Sequence, residues 1–109
     1  MRAEVPSIRF IRQCLETNDY RLTRHATIQR LERGVAMAVL RQALSNGEVI
    51  ERYPDDIPYP SCLVLGWLES GDPLHIVCSR SEEAPRLRIV TVYEPGDDQW
   101  EPDYKTRKR

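Results

Sequence analysis

The spacing of apolar residues changes once along this chain, at the polar segment Ser45, Asn46 and Gly47. Before this segment apolar side chains recur every three or four residues, which is the period of one helix face. After it they alternate or form short runs, which is typical of strands. Because the helices precede the strands, the sequence predicts an α+β fold, with two to three N-terminal helices packed on a four-stranded antiparallel sheet.

The boundaries of these elements follow from capping and turn residues. Pro6 fits the first turn of a first helix, Thr23 the N-cap of a second, and Gly34 the C-terminal end of that second helix. The apolar stripe predicted to bury the second helix consists of Ile28, Leu31 and Val35. The four predicted strands are EVIERY (48–53), SCLVLGWLES (61–70), PLHIVCSR (73–80) and RLRIVTVYE (86–94), the last three forming a meander.

The length of 109 residues predicts a single domain, 1–109, in which 96–109 is a polar tail partly folded back through Trp100 and Tyr104. No run approaches the roughly 18 apolar residues of a membrane span, and charges interrupt the N-terminal apolar residues where a signal peptide would have none. The sequence therefore predicts a cytoplasmic protein with no membrane partner. No glycine-rich phosphate loop or nucleophile elbow is present, and no cofactor is expected.

Charge is segregated along the chain although the net charge is only −1. Residues 1–44 carry eight arginines and four acids, whereas residues 45–103 carry four arginines and thirteen acids; residues 104–109 add four basic side chains. This segregation predicts either a basic surface that binds nucleic acid or ordinary solvated helix faces. The basic terminus KTRKR is open to the same two interpretations.

Cysteine and histidine positions predict no metal site. The three cysteines, Cys14, Cys62 and Cys78, are an odd number without paired spacing, so buried reduced thiols are expected instead of disulfides. His75 and Cys78 are the nearest candidates for a shared metal, but an odd separation within one strand sends their side chains to opposite faces.

His25 lies in the first turn after the predicted Thr23 cap. There the partial positive charge of the helix end disfavours the imidazolium form, so a neutral ring suited to general-base chemistry is expected. The alternative is that His25 packs at the seam between helix and sheet and donates a ring hydrogen to a backbone carbonyl.

His75 is predicted to point away from the helices, because Leu74, Ile76 and Cys78 form the more apolar face of its strand. In the last strand two alternating sets oppose one another, one containing Tyr93 and the other Arg88, and either set fits the buried side. A cleft containing His75 with Tyr93 or Arg88, and with His25 at its edge, is one arrangement compatible with these patterns.

Several of these motifs also carry a family resemblance. The segments LTRHATIQRLERGV, ALSNGEVIERYP, PSCLVLGWL, PLHIVCS and IVTVYEPGDDQWEPDYKTR resemble a family of small bacterial proteins known only as a domain of unknown function, with a Thr-x-His-Ala helix start and a closing Thr-x-Tyr strand. The resemblance covers about residues 20–107. The order of elements is also similar to the ribonuclease toxins of the RelE and BrnT kind, which implies an RNA-cutting sheet and a cognate antitoxin protein as partner.

That resemblance suggests a toxin-like, metal-independent endoribonuclease. Its catalytic residues would be His25 and His75 as acid and base, together with Tyr93. The arginines expected to hold RNA phosphate groups are Arg30, Arg33, Arg80 and Arg88. The alternative is a non-catalytic interaction module that uses the same sheet to bind a protein partner. Its histidines would be structural hydrogen-bonding groups and its arginines ordinary surface residues.

Overall fold

The structure is a computed structural model that describes residues 4–109; the first three residues of the predicted domain lie outside this range. It contains three helices and five strands. The helices are α1 (Ile8–Glu16), α2 (Arg24–Glu32) and α3 (Met37–Ser45), and the strands are β1 (Tyr20–Leu22), β2 (Glu48–Tyr53), β3 (Ser61–Trp67), β4 (Pro73–Arg80) and β5 (Leu87–Tyr93).

Local capping explains where the first two helices begin. Ser7 caps α1 by accepting a hydrogen bond from the backbone N–H of Phe10 at 3.1 Å. Thr23 caps α2 in the same way through the N–H of Ala26, which confirms the predicted cap. Gly34 has a φ of +68°, a conformation that costs other residues energy, and it lets the chain turn from α2 toward α3.

The sheet confirms the α+β class but has five strands instead of four. Its order is β1-β5-β4-β3-β2, and all pairs are antiparallel except the parallel pair of β1 with β5. The strand missed by the sequence pattern, β1, is only three residues long, too short to show alternation. It is defined by pairing with a strand that follows more than sixty residues later, which no local pattern reveals.

One face of the sheet packs against the helices and forms the main core. The sheet contributes Cys62, Val64, Leu74, Ile76, Cys78, Leu87, Ile89 and Val92, and the helices contribute residues including Ile11, Leu15, Leu40 and Leu44. Helix α3 lies very close to β3, because a Cβ added to Gly66 would come within 2.7 Å of the carbonyl oxygen of Ala43. All three cysteines are buried free thiols, two of them within this core face.

Helix α2 does not bury the predicted stripe. Ile28 and Leu31 are 44% and 61% exposed, so that part of the prediction is wrong, whereas Ala26 and Val35 are buried. The helix lies along the outer side of β5 and satisfies backbone groups there. The hydroxyl of Thr23 donates to the carbonyl of Val90, and Gln29 Oε1 accepts from the N–H of Val92 at 2.8 Å. Hydrogen bonds to β5 therefore hold α2 against the sheet, where the sequence predicted an apolar face.

The opposite face of the sheet, which we call the second face, is partly covered by the C-terminal segment, residues 96–109. Trp100 of this segment is 2% exposed, and a short bridge between Trp100 and Arg107 folds the segment back on itself. Within residues 4–109, no helix has the length and apolar character needed to cross a membrane.

Candidate functional site

The second face collects side chains from β2, β4 and β5. Cross-strand register places His75 opposite Tyr93, and Ser79 opposite Arg88. A β-bulge between these pairs, at Val77 and Cys78, shifts the alternation of β5, so that Leu87, Ile89 and Val92 face the helices while Arg88, Thr91 and Tyr93 share the second face. Neither alternating set of β5 is therefore buried as a whole, and one bulge brings Arg88 and Tyr93 to the same side.

His75 is the middle member of a hydrogen-bond chain that runs from the Tyr93 hydroxyl to the Tyr104 carbonyl. Its Nε2 atom is 2.8 Å from the backbone carbonyl oxygen of Tyr104, and its Nδ1 atom is 3.2 Å from the hydroxyl of Tyr93. Because a carbonyl only accepts, Nε2 carries a hydrogen and donates it. In the neutral ring, Nδ1 is then the acceptor for the Tyr93 hydroxyl. The predicted proximity of His75 and Tyr93 is thus present, with a defined direction.

Burial controls the protonation of this pair. His75 is fully buried, with Trp100 packed edge-on against its ring at a centroid distance of 4.5 Å. Burial lowers the pKa of His75 below its ordinary value of 6.5 and raises the pKa of Tyr93 above 10.0. Both groups are consequently neutral near pH 7. Tyr93 is only partly buried, so it is the member of the pair nearer to solvent.

An ion pair holds the C-terminal segment over His75. Arg107 donates to both carboxylate oxygens of Glu51 on β2, at 2.8 and 3.0 Å, and its guanidinium lies 4.6 Å from the ring centroid of Trp100. The hydrogen bonds from Arg107 lower the pKa of Glu51. Tyr53 also donates to Glu51. Burial, and to a smaller extent this hydrogen bond, raise the pKa of Tyr53 to about 12.

Sequence reasoning missed the roles of Glu51, Tyr53 and Tyr104. The first two are two residues apart in EVIERY, so alternation already placed them on one face of β2. Tyr104 contacts His75 through its backbone carbonyl, so the identity of its side chain does not predict the contact. Only the fold of the C-terminal segment brings this carbonyl to the sheet.

The other predicted residues are distributed over several surfaces. Arg80 lies over the ring of Phe10 on α1, on the helix side of the sheet, at 4.1 Å from the ring centroid. Arg30 donates to the carbonyl of Val35 at the end of α2, and Arg33 is the exposed C-cap of the same helix. His25 is exposed in the first turn of α2, and no hydrogen bond joins it to His75 within the described part of the chain.

Arg88 occupies the end of the second face that the loops after β2 and β4 surround. Its guanidinium lies 5.5 Å from the ring centroid of Tyr59, which belongs to the loop between β2 and β3. The structure therefore brings His75, Tyr93 and Arg88 to one face, and it places Arg80 on the other. Among residues 4–109 no three His, Cys, Asp or Glu side chains converge in a way that would hold a metal ion.

Comparison with known proteins gave one match. The family model described as "Domain of unknown function (DUF4258)" matches residues 22–94, which include α2, α3 and strands β2 to β5. No curated protein and no solved structure matches the chain significantly. The matched range contains His25, His75, Tyr93 and Arg88, whereas the C-terminal segment that covers His75 lies outside it. Since the family model covers well over half of its residues, the chain belongs to the DUF4258 family.

Proposed function

We propose that this protein is a toxin-like, metal-independent endoribonuclease that binds RNA on the second face. The observation that carries the proposal is the directed chain from the Tyr93 hydroxyl through His75 to the carbonyl of Tyr104. A group near solvent, a base behind it and an acceptor that orients the base form the arrangement by which proteins activate hydroxyl groups. The similarity of element order to RelE-like and BrnT-like toxins supports the same reaction class, by analogy of fold.

The proposed reaction needs one base and one acid. Tyr93 takes the proton of the RNA 2′-hydroxyl while its own phenolic proton passes to Nδ1 of His75. The 2′-oxygen forms a bond to phosphorus and the bond from phosphorus to the 5′-oxygen breaks, which leaves a cyclic phosphate. His25 is the proposed acid for the departing 5′-oxygen; it is exposed in the first turn of α2, whose Thr23 cap contacts Val90, three residues before Tyr93 on β5. Tyr93 then releases the proton that it took from the 2′-hydroxyl to solvent as His75 returns its own proton to Tyr93, and His25 regains a proton from solvent.

The environment of His75 supports a transient positive charge in two ways. The Nε2 hydrogen bond to the Tyr104 carbonyl strengthens when the ring becomes cationic. The Glu51 carboxylate also raises the pKa of His75, in opposition to burial and to Arg107. The ring is thus kept neutral at rest by burial, while the hydrogen bond to the Tyr104 carbonyl and the negative charge of Glu51 favour its cationic form during proton transfer.

A growth and RNA-cleavage assay tests the proposal. We expect the wild-type protein to arrest growth and to cut cellular RNA without added metal, leaving cyclic phosphate ends. Tyr93→Phe and the double variant His25→Ala/His75→Ala should each reduce cleavage about 10²- to 10⁴-fold, which is the usual contribution of a positioned acid or base. Tyr20→Phe is the matched control, since Tyr20 packs against the helix-side core. Absence of cleavage by wild type, or equal cleavage by Tyr93→Phe, contradicts the proposal.

A second candidate function is a protein-interaction module, and it rests on the exposed apolar side chains of α2. Ile28 and Leu31 are one helical turn apart and both exposed, which is typical of a docking surface. The partner would be a protein with a complementary apolar surface, and the product of the neighbouring gene is the first one to test. Calorimetric titration of wild type and of Ile28→Glu/Leu31→Glu with the product of the neighbouring gene tests this function. Equal affinities for the two forms would exclude α2 as the contact.

A further inference from the structure

A pocket opens at the end of the second face, between the loop after β2 and the loop after β4. Its volume is about 570 Å³, comparable with sites that hold small molecules. The residues that line it are Arg21, Pro58, Tyr59, Ser81, Glu83, Ala84, Pro85 and Arg88. The C-terminal segment contributes none of these lining residues, so the pocket is separate from the closed site of His75.

Two buried polar atoms at this end of the sheet have no hydrogen-bond partner among the described residues. They are Nε of Arg88 and Oγ of Ser79, and the two residues face one another directly across β4 and β5. Ser79 is only 3% exposed, so water cannot readily satisfy its hydroxyl. Neighbouring Ser61 differs, because its hydroxyl donates to Asp56. Buried polar groups are almost always paired, and Arg88 also lines the pocket, so its unpaired Nε is a donor available to a ligand there.

Arg21 adds a second positive charge at the same place. It is the parallel-strand partner of Arg88 and lines the same pocket. Neither arginine has a carboxylate oxygen within 4.0 Å among residues 4–109, whereas Arg86 and Arg107 are each paired with a carboxylate. Glu83 also lines the pocket but forms no such contact. Two positive charges that line one pocket repel one another, and an anion bound between them relieves that repulsion.

We propose that this pocket binds a phosphate group, with Arg88 and Arg21 donating to its oxygens. A phosphate presents several acceptor oxygens, which match the donors of guanidinium groups and hydroxyls. The strand rise of about 3.3 Å per residue places Arg88 roughly 16 Å from Tyr93 along β5. On the proposed nuclease function, on which this identification of the source rests, the phosphate therefore belongs to an RNA nucleotide beyond the one that is cut.

Titration calorimetry with three probes tests the site: inorganic phosphate, a nucleoside monophosphate, and a short 2′-O-methyl oligoribonucleotide that cannot be cleaved. Arg88→Gln and Arg21→Gln should each weaken oligonucleotide binding about tenfold or more. Each should also reduce the slope of log affinity against log salt by about 0.7, the value for one lost phosphate contact to a single strand. Arg9→Gln is the matched control, because it removes one exposed charge from α1 on the helix side.

In the cleavage assay, the two arginine variants should raise KM and leave kcat nearly unchanged, since their contact lies outside the reacting nucleotide.

The outcomes distinguish this site from the proposed activity. If Arg88 and Arg21 control oligonucleotide binding but wild type cuts no RNA, the phosphate site stands and the nuclease function is wrong. If wild type cuts RNA and both arginine variants bind every probe with wild-type affinity, the site is wrong and the function stands. If only inorganic phosphate or the monophosphate binds with this dependence, the phosphate site stands and its RNA source is overturned.

Discussion

His75 is a residue whose surroundings oppose its protonation in the resting protein. Its ring is fully buried, one nitrogen accepts from Tyr93 and the other donates to the Tyr104 carbonyl. Burial lowers its pKa below 6.5, so the unfolded chain takes up a proton at a higher pH than the folded chain does. The same features that fit it for proton transfer thus link the stability of the fold to pH.

The first prediction at the residue scale is a loss of stability below about pH 6.5. Stability from a neutral buried histidine is fully present above the unfolded pKa, and it declines as pH falls toward the lower folded pKa. The free energy of unfolding of wild type, measured by urea titration, should therefore decrease from about pH 7 to pH 5. His75→Gln should flatten this dependence. Glu51, whose pKa is lowered from 4.5, contributes only in a more acidic window.

His25→Gln is the control for this prediction, because the chain has only two histidines. The exposed His25 makes none of the contacts of His75, so its replacement should leave the decrease between pH 7 and pH 5 in place. If His25→Gln abolishes the decrease and His75→Gln does not, the assignment of the pH dependence to the buried ring is wrong.

At the scale of elements, the C-terminal segment acts as a cover whose stability depends on Trp100. Trp100 is buried against His75, whereas Trp67, the other tryptophan, is 48% exposed at the end of β3. Trp100→Ala should lower the free energy of unfolding by about 3–5 kcal/mol, the usual cost of emptying a buried aromatic site. Trp67→Ala is the control and should cost much less. Chemical denaturation measures both, and equal losses would show that the segment does not depend on Trp100.

The contact between α3 and β3 gives a second prediction at this scale. A Cβ at residue 66 would lie 2.7 Å from the backbone oxygen of Ala43, and a backbone atom cannot move away as a flexible side chain does. Gly66→Ala should therefore push α3 from the sheet and cost about 1–3 kcal/mol, as overpacking typically does. Urea denaturation measures this cost, and a variant as stable as wild type would show that the helix has room to move.

At the scale of the whole molecule, local patterns predicted the elements more fully than their arrangement. The Thr23 cap, the three helices and the four longer strands could be predicted because each is specified by residues within a few positions. The short β1 could not, since it depends on a distant partner strand. The predicted burial of Ile28 and Leu31 was wrong, because helical spacing shows that a helix has an apolar side but does not show that another element covers it.

The candidate site was predictable in some of its residues and unpredictable in its geometry. His75, Tyr93 and Arg88 were selected from residue type and strand position, but the bulge that puts Arg88 and Tyr93 on one face has no sequence signal of its own. The segregated charge was visible in the sequence, yet only the strand pairing shows that Arg21 and Arg88 become neighbours. Contacts made by backbone atoms, such as the Tyr104 carbonyl, also could not be predicted, because they do not depend on the type of side chain.

The two edges of the sheet have a consequence for how copies of this protein behave at high concentration. One edge ends in the three-residue β1, beyond which α2 covers the backbone of β5. The other edge, β2, is broken by a bulge between Val49 and Glu51 and carries charges that pair with Lys105 and Arg107. Short, bulged and charged edges resist the addition of a strand from another chain. The ion pairs that bind the C-terminal segment to β2 thus also reduce the tendency of the sheet to aggregate through this edge.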